Sequence, residues 1–286
     1  MTTLEVTDLS KNYRLRAGTK STLLRAVKDV NFTLEPGRTI ALVGQSGSGK
    51  STVARMIAQL EAPTSGDILL NGKSFARHGR GLREYRDEVQ MVFQDPFASL
   101  NPFHTIEHHL ARPLLLHGKA SGKLEVRQKV RELLERVNLE PADDFIDRRP
   151  HELSGGQRQR VAIARALAPG PNVLIADEPV SMLDVSVRLG VLNLLARLQR
   201  EENLAVLYIT HDLATARHFS DEILVMYQGE VVERGPADDV ILNPQADFTK
   251  QLAAAAPEPS RNKRFTSVAA RYAQNTPETP IHKEST

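Results

Sequence analysis

The stretch that most constrains this chain is Thr39-Ile40-Ala41-Leu42-Val43 running straight into Gly44-Gln45-Ser46-Gly47-Ser48-Gly49-Lys50-Ser51-Thr52. Five consecutive apolar or β-branched residues read as a strand buried on both faces, which belongs in the interior of a parallel sheet. The sequence that follows is a complete P-loop, Gly-x-x-x-x-Gly-Lys-Ser, placed between a buried strand and a helix as its mechanism requires. Its glycines let backbone N–H groups close around phosphates. Lys50 reaches the β- and γ-phosphates, and the Ser51 hydroxyl serves Mg²⁺. A chain carrying this unit is expected to be α/β, with further strands laid beside the first.

Those strands are readable. Asn172-Val173-Leu174-Ile175-Ala176-Asp177-Glu178 and Leu204-Ala205-Val206-Leu207-Tyr208-Ile209-Thr210 each follow a helical segment, the rhythm of a parallel sheet. Residues 4–43 read as short strands broken by turns, with the half-buried alternation of antiparallel pairing in 4–6 and 26–34. A first helix is expected over about 51–60, and strands over 66–72 and 89–93. The strand pattern disappears from about 97 to 152. Within that gap 124–139 is helical by period, with Val126, Val130, Leu133, Leu134 and Val137 on one face. A hairpin is expected around Gln228-Gly229, and a last helical region over 237–256. From Pro257 to 286 the composition turns to Pro, Ser, Thr, Lys and Arg, and this tail is expected to be disordered.

Several side chains sit where open α/β sheets bind ligands, at strand C-termini. Asp177 ends an apolar strand and suits Mg²⁺, and Glu178, one step beyond, suits acceptance of a proton from an attacking water. His211 follows the 204–210 strand and points to a γ-phosphate contact. Gln94 follows the 89–93 strand at the entrance to the helical segment, placed to touch Mg²⁺ or water. A second anion-binding turn lies roughly a hundred residues after the P-loop, at Leu153-Ser154-Gly155-Gly156-Gln157. Ser154 and Gln157 have capping-box spacing, and the glycines leave N–H groups bare at the positive end of a helix dipole.

Composition excludes several classes of function. There are no cysteines, so disulfides and thiolate metal sites are ruled out, and the 37 basic side chains nearly balance the 35 acidic ones, which gives no field to recruit nucleic acid. His104, His108 and His109 have partial metal-ligand spacing, but no Cys or carboxylate completes a set. The N-terminus lacks the basic start and apolar run of a signal peptide, and the apolar runs are too short to span a bilayer. If the protein works at a membrane, other chains are expected to supply the spanning part.

The P-loop, Gln94, Leu153-Ser154-Gly155-Gly156-Gln157, Asp177-Glu178, Ser181-Met182-Leu183-Asp184 and His211 together resemble, in order and spacing, the ATP-binding subunits of ABC transporters. The resemblance covers nearly all of 1–255. It implies a P-loop NTPase core of mostly parallel sheet, an N-terminal antiparallel β-subdomain and an inserted helical subdomain over about 97–170, all within an ATP-binding domain of residues 1–256. It implies ATP and Mg²⁺ as ligands. The implied catalytic residues are Glu178 (the base), His211, Lys50 and Gln94, and the implied metal ligands are Ser51, Gln94 and Asp177. The implied nucleotide-binding set is Tyr13 (stacked on adenine), Gly44, Ser46, Gly47, Gly49, Lys50, Ser51, Thr52, Ser154, Gly155, Gly156 and Gln157. In it Ser154 and Gly156 contact the γ-phosphate of ATP held by a second subunit, and 181–184 crosses the dimer seam. Met182 stands where alanine is more usual.

Residues 94–102 (Gln-Asp-Pro-Phe-Ala-Ser-Leu-Asn-Pro) resemble the extended segment of the oligopeptide, dipeptide and nickel importers, and 243–249 (Asn-Pro-Gln-Ala-Asp-Phe-Thr) a C-terminal motif of the same branch. Some members of that branch carry oligosaccharides instead. The expected partners are integral membrane permease subunits, a second ATP-binding subunit (identical or homologous) and an extracytoplasmic solute-binding protein. The expected place is the cytoplasmic face of the membrane, peripheral, with membrane contact only through partners. A DNA-repair ATPase of the same core needs a long coiled coil between P-loop and signature, for which there is no room. A translation-factor ATPase usually carries two cassettes, and this chain has one.

Overall fold

A computed structural model of the protein describes residues 2–17 and 20–255, so the expected disordered tail from 257 lies outside the described residues. The chain opens with β1 (Leu4–Ala17) and β2 (Lys20–Leu34), followed by β3 (Thr39–Val43), α1 (Lys50–Ile57), β4 (Ser65–Leu70), α2 (Gly79–Glu88) and β5 (Val89–Val92). Five α-helices come next, with a 3-10 turn (Pro150–Glu152) before the last: α3 (Pro96–Ser99), α4 (Ile106–Leu116), α5 (Lys123–Arg136), α6 (Asp143–Ile146) and α7 (Gly155–Leu167). Then β6 (Val173–Asp177), α8 (Val185–Glu201), β7 (Ala205–Thr210) and α9 (Leu213–Phe219) alternate. The described chain closes with β8 (Glu222–Tyr227), β9 (Glu230–Pro236), α10 (Ala237–Leu242) and α11 (Asp247–Ala255).

Two sheets result. The larger has the order β5-β6-β7-β3-β8-β9, parallel except for the antiparallel β8–β9 pair. The smaller is antiparallel with the order β2-β1-β4. In the larger sheet, side chains alternate between two cores, as strand geometry demands. Ile40, Leu42, Ile175, Leu207 and Leu224 face the smaller sheet and α1, whose Val53, Met56 and Ile57 complete that layer. Ala41, Val43, Leu174, Val206 and Val225 face the helical layer with α4, α5, α7 and α8. Buried on both faces, β3, β6 and β7 are the continuous apolar runs the sequence displays.

Three differences from the sequence reading have local causes. The first two strands run 14 and 15 residues rather than in short pieces. Bulges between Val6 and Asn12 interrupt the alternation: Asp8 and Asp29 take φ of 48° and 47°, and the Ser10 hydroxyl, which donates to Asp29 Oδ1 at 2.9 Å, ties the irregularity together. The α5 helix stops at Arg136 because Asn138 turns left-handed (φ 57°), yet Val126, Val130, Leu133, Leu134 and Val137 are all buried as expected. The helix α2 has no counterpart among the expected elements. Its ten residues include two glycines and bury only Tyr85, so no apolar stripe marks it.

Tyr85 nevertheless does specific work. It is 2% exposed, stacks on Phe75 with ring centroids 3.8 Å apart, and its hydroxyl donates to the Ile57 carbonyl at 2.6 Å. That carbonyl is one of the last four of α1, which have no partner within the helix. Burial pushes the phenol well above its usual range, so it remains a donor at all working pH. Replacing Tyr85 by Phe leaves the Ile57 carbonyl buried without this donor and should cost about 1–2 kcal/mol. A urea melt checks it; an unchanged midpoint would remove Tyr85 as the cap of α1.

Candidate active site

The P-loop is shaped from behind. Gly47 and Gly49 adopt φ of 79° and 108°, which only glycine takes at little cost. Gly44 and Gly49 are also pinned by neighbours: a Cβ on Gly44 would lie 2.2 Å from the Met226 carbonyl oxygen, and one on Gly49 2.3 Å from that of Ala26. The backbones of β2 and β8 thus press on the loop. Next to them, Gly229 N–H in the β8–β9 turn donates to the Ser48 carbonyl at 3.0 Å, and Lys28 N–H donates to the Gly229 carbonyl at 2.8 Å. In the sequence the glycines point to phosphate approach alone. Close packing against two strands is a second reason, invisible in the sequence because both strands are distant in the chain.

Lys50 is 4% exposed and donates to the carbonyls of Gly44 (2.8 Å) and Gln45 (2.9 Å). Burial draws its ammonium below the usual lysine range, and the carboxylates of Glu178 and Asp177 pull the other way. Across from it, Ser51 Oγ donates to Asp177 Oδ1 at 3.2 Å. Burial pushes the Asp177 carboxyl up, and the Ser51 hydrogen bond opposes that rise. β3 and β6, separated in the sheet by β7, therefore bring a cation, a hydroxyl and a carboxylate to one edge.

Glu178 collects the other strand-end residues. Gln94 Nε2 donates to its Oε2 at 3.0 Å, and His211 Nδ1 lies 3.3 Å from its Oε1. Its backbone N–H donates to the Ile209 carbonyl at 2.9 Å, and Ser181 donates to its carbonyl from both N–H (3.2 Å) and hydroxyl (3.0 Å). These bonds hold Glu178 at φ 45°, where a non-glycine residue rarely rests. The carboxylate is aimed by Gln94 and His211 while the half-exposed His211 ring stays open to solvent. Ser51, Asp177 and Gln94 line one cleft of 680 Å³ that continues between β5 and α4 to Arg112 and His117.

Tyr13 lies on β1 beside α1, with its hydroxyl against Glu61 and Thr52, so the aromatic ring borders the helix that begins at the P-loop. Ser154 and Gln157 form the expected capping box: Gln157 N–H donates to Ser154 Oγ at 3.3 Å, and Ser154 N–H to Gln157 Oε1 at 2.9 Å. Gly156 packs closely under α8: a Cβ there would meet Val187 Cγ1 at 2.5 Å, so that side chain would have to shift. The side-chain hydrogen bonds of Ser154 and Gln157 stay within their own turn, in contrast to the Lys50–Asp177–Glu178–Gln94–His211 group, which the structure gathers together.

Comparison with known proteins agrees with this geometry. A family model described as ABC transporter matches residues 27–181. The chain is 44% identical over 264 residues to the dipeptide transport ATP-binding protein DppF of Haemophilus influenzae, covering 91% of this chain and 80% of that one. It is also 44% identical over 273 residues to the oligopeptide transport ATP-binding protein OppF of Bacillus subtilis, covering 94% and 87%. A solved ATP-binding cassette, dimeric in a post-hydrolysis state and bound to ADP and Pi, superposes with a TM-score of 0.71 at 32% identity, over 82% of this chain and 98% of that one. The P-loop, the strand-end carboxylates and this kinship place the chain in the ABC transporter family, as one of its ATP-hydrolysing ATP-binding subunits.

Proposed function

We propose that residues 1–256 form the ATPase domain of an importer that takes up short peptides, acting on the cytoplasmic face of the membrane through permease subunits and an extracytoplasmic solute-binding protein. Among the described residues no helix is long and apolar enough to cross a membrane, so the reading assigns the spanning part to those partners. The peptide cargo is supported by the names of DppF and OppF together with the 94–102 and 243–249 segments.

The single observation that carries the chemistry is Glu178, set beyond Asp177 and oriented by Gln94 and His211. In this reading the P-loop N–H groups and Lys50 bind the β- and γ-phosphates, and Tyr13 stacks on the base. Glu178 accepts the proton of the attacking water as the phosphorus–oxygen bond to ADP breaks, and His211 holds the γ-phosphate. The oxygen donors of Ser51, Asp177 and Gln94 fit a hard divalent cation such as Mg²⁺, since a hydroxyl, a buried carboxylate and an amide carbonyl are the ligand types such an ion takes. Such an ion, when bound, would neutralise phosphate charge.

The turn at Ser154, Gly155, Gly156 and Gln157 completes the site of a second ATP-binding subunit. It offers a capped helix N-terminus whose side-chain hydrogen bonds stay within the turn and do not involve the chain's own P-loop. Glu178→Gln should lower hydrolysis by about two to four orders of magnitude and accumulate an ATP-bound dimer, seen by size-exclusion chromatography. Near-normal turnover would overturn the base assignment. Ser154→Ala should leave ATP binding to the monomer nearly intact and disable ATP-driven dimerisation. Loss of monomer affinity would instead place both loops on one nucleotide.

A further inference from the structure

The 243–249 segment has no part in the ATPase chemistry, yet the structure ties it to the P-loop through one turn. Four residues form that tie. The Met226 carbonyl packs where Gly44 has no side chain. The Tyr227 ring stacks on Phe248, with centroids 4.2 Å apart and planes 30° apart. Gln228 (φ 47°) donates from Nε2 to the Tyr227 hydroxyl at 3.1 Å, and Gly229 (φ 88°) holds the Ser48 carbonyl at 3.0 Å. The turn therefore has the P-loop on one side and the C-terminal helix on the other.

The second half of the contact is a clasp. Glu233 on β9 accepts the N–H groups of Gln245 at 2.8 Å and Ala246 at 2.9 Å, immediately before α11 begins. The Gln245 side chain donates to the Asn243 carbonyl at 2.6 Å, closing the loop on itself. Phe248 is 8% exposed, whereas Tyr227 is 38% exposed, so the tyrosine depends on Phe248 for its cover on that face. Two carboxylate-anchored N–H groups and one ring stack thus fix the β8–β9 turn from outside.

We infer that residues 243–248 are a positioning clasp for nucleotide binding: by holding Tyr227 and Glu233 they keep the Met226–Gly229 turn against Gly44 and Ser48, and so keep the P-loop in its phosphate-binding shape. The inference rests on the reading that this P-loop binds adenine nucleotide. By linkage, the coupling is reciprocal: nucleotide on the P-loop must tighten the clasp as much as the clasp tightens nucleotide.

The test uses the full chain and ADP with Mg²⁺, which occupies the P-loop without turnover. Phe248→Ala and, independently, Glu233→Gln should raise the ADP Kd about five- to tenfold, and Phe248→Tyr should restore it. Hydrogen exchange on the unmodified chain should show residues 243–255 protected when ADP is added. A clasp that merely stabilises the fold would lower Tm in both variants with the Kd unchanged and no ADP-dependent protection, which overturns the inference. Failure of the unmodified chain to bind ADP overturns the ATPase reading and the clasp with it. Should Phe248→Ala fail to fold, Glu233→Gln and the exchange measurement still decide.

Discussion

The P-loop is a backbone surface pressed between other backbones. Its phosphate-facing shape needs left-handed residues at 47 and 49, and the bonds from Lys50 and Ser48 to the Gly44 and Gln45 carbonyls brace it only from within. What holds the loop is the close approach of the Ala26 and Met226 carbonyls to Gly49 and Gly44, with the Gly229 N–H on the Ser48 carbonyl. Any side chain at either glycine would collide with backbone rather than with a movable group. The antiparallel sheet, the parallel sheet and the closing hairpin all meet there. That is why the smaller sheet, which supplies no catalytic side chain, is still part of the site.

The charges at the sheet edge follow the same logic. A buried lysine is unfavourable unless its donors find acceptors, and Lys50 finds two loop carbonyls with two carboxylates nearby. A buried aspartate is unfavourable unless a donor or cation meets it, and Asp177 has Ser51. Burial works against the charge on both groups, and the contacts between α1 and the end of β6 oppose it, so the ends of β3 and β6 are linked by these side chains as well as by the β7 strand between them.

Much of this was legible in the sequence. The residues concerned lie next to a recognisable strand: Lys50 and Ser51 after β3, Asp177 and Glu178 after β6, His211 after β7. The capping box at Ser154 was equally readable, because both of its hydrogen bonds are local. What escaped notice is long-range or unpatterned. Tyr85 caps a helix 28 residues earlier from a helix with no apolar stripe, and Gly229 reaches Ser48 across most of the chain. The β1–β2 hairpin looked fragmented because bulges break the very alternation that identifies strands.

Glu178 has a consequence for how such a chain can vary. Its φ of 45° places a bulky acidic residue where glycine would rest with less strain, at a cost on the order of 1–3 kcal/mol. A glycine there would relax the backbone, at a cost in chain entropy, while removing the carboxylate that Gln94 and His211 orient. In the proposed reading of Glu178 as the base, backbone ease and turnover thus pull this position in opposite directions.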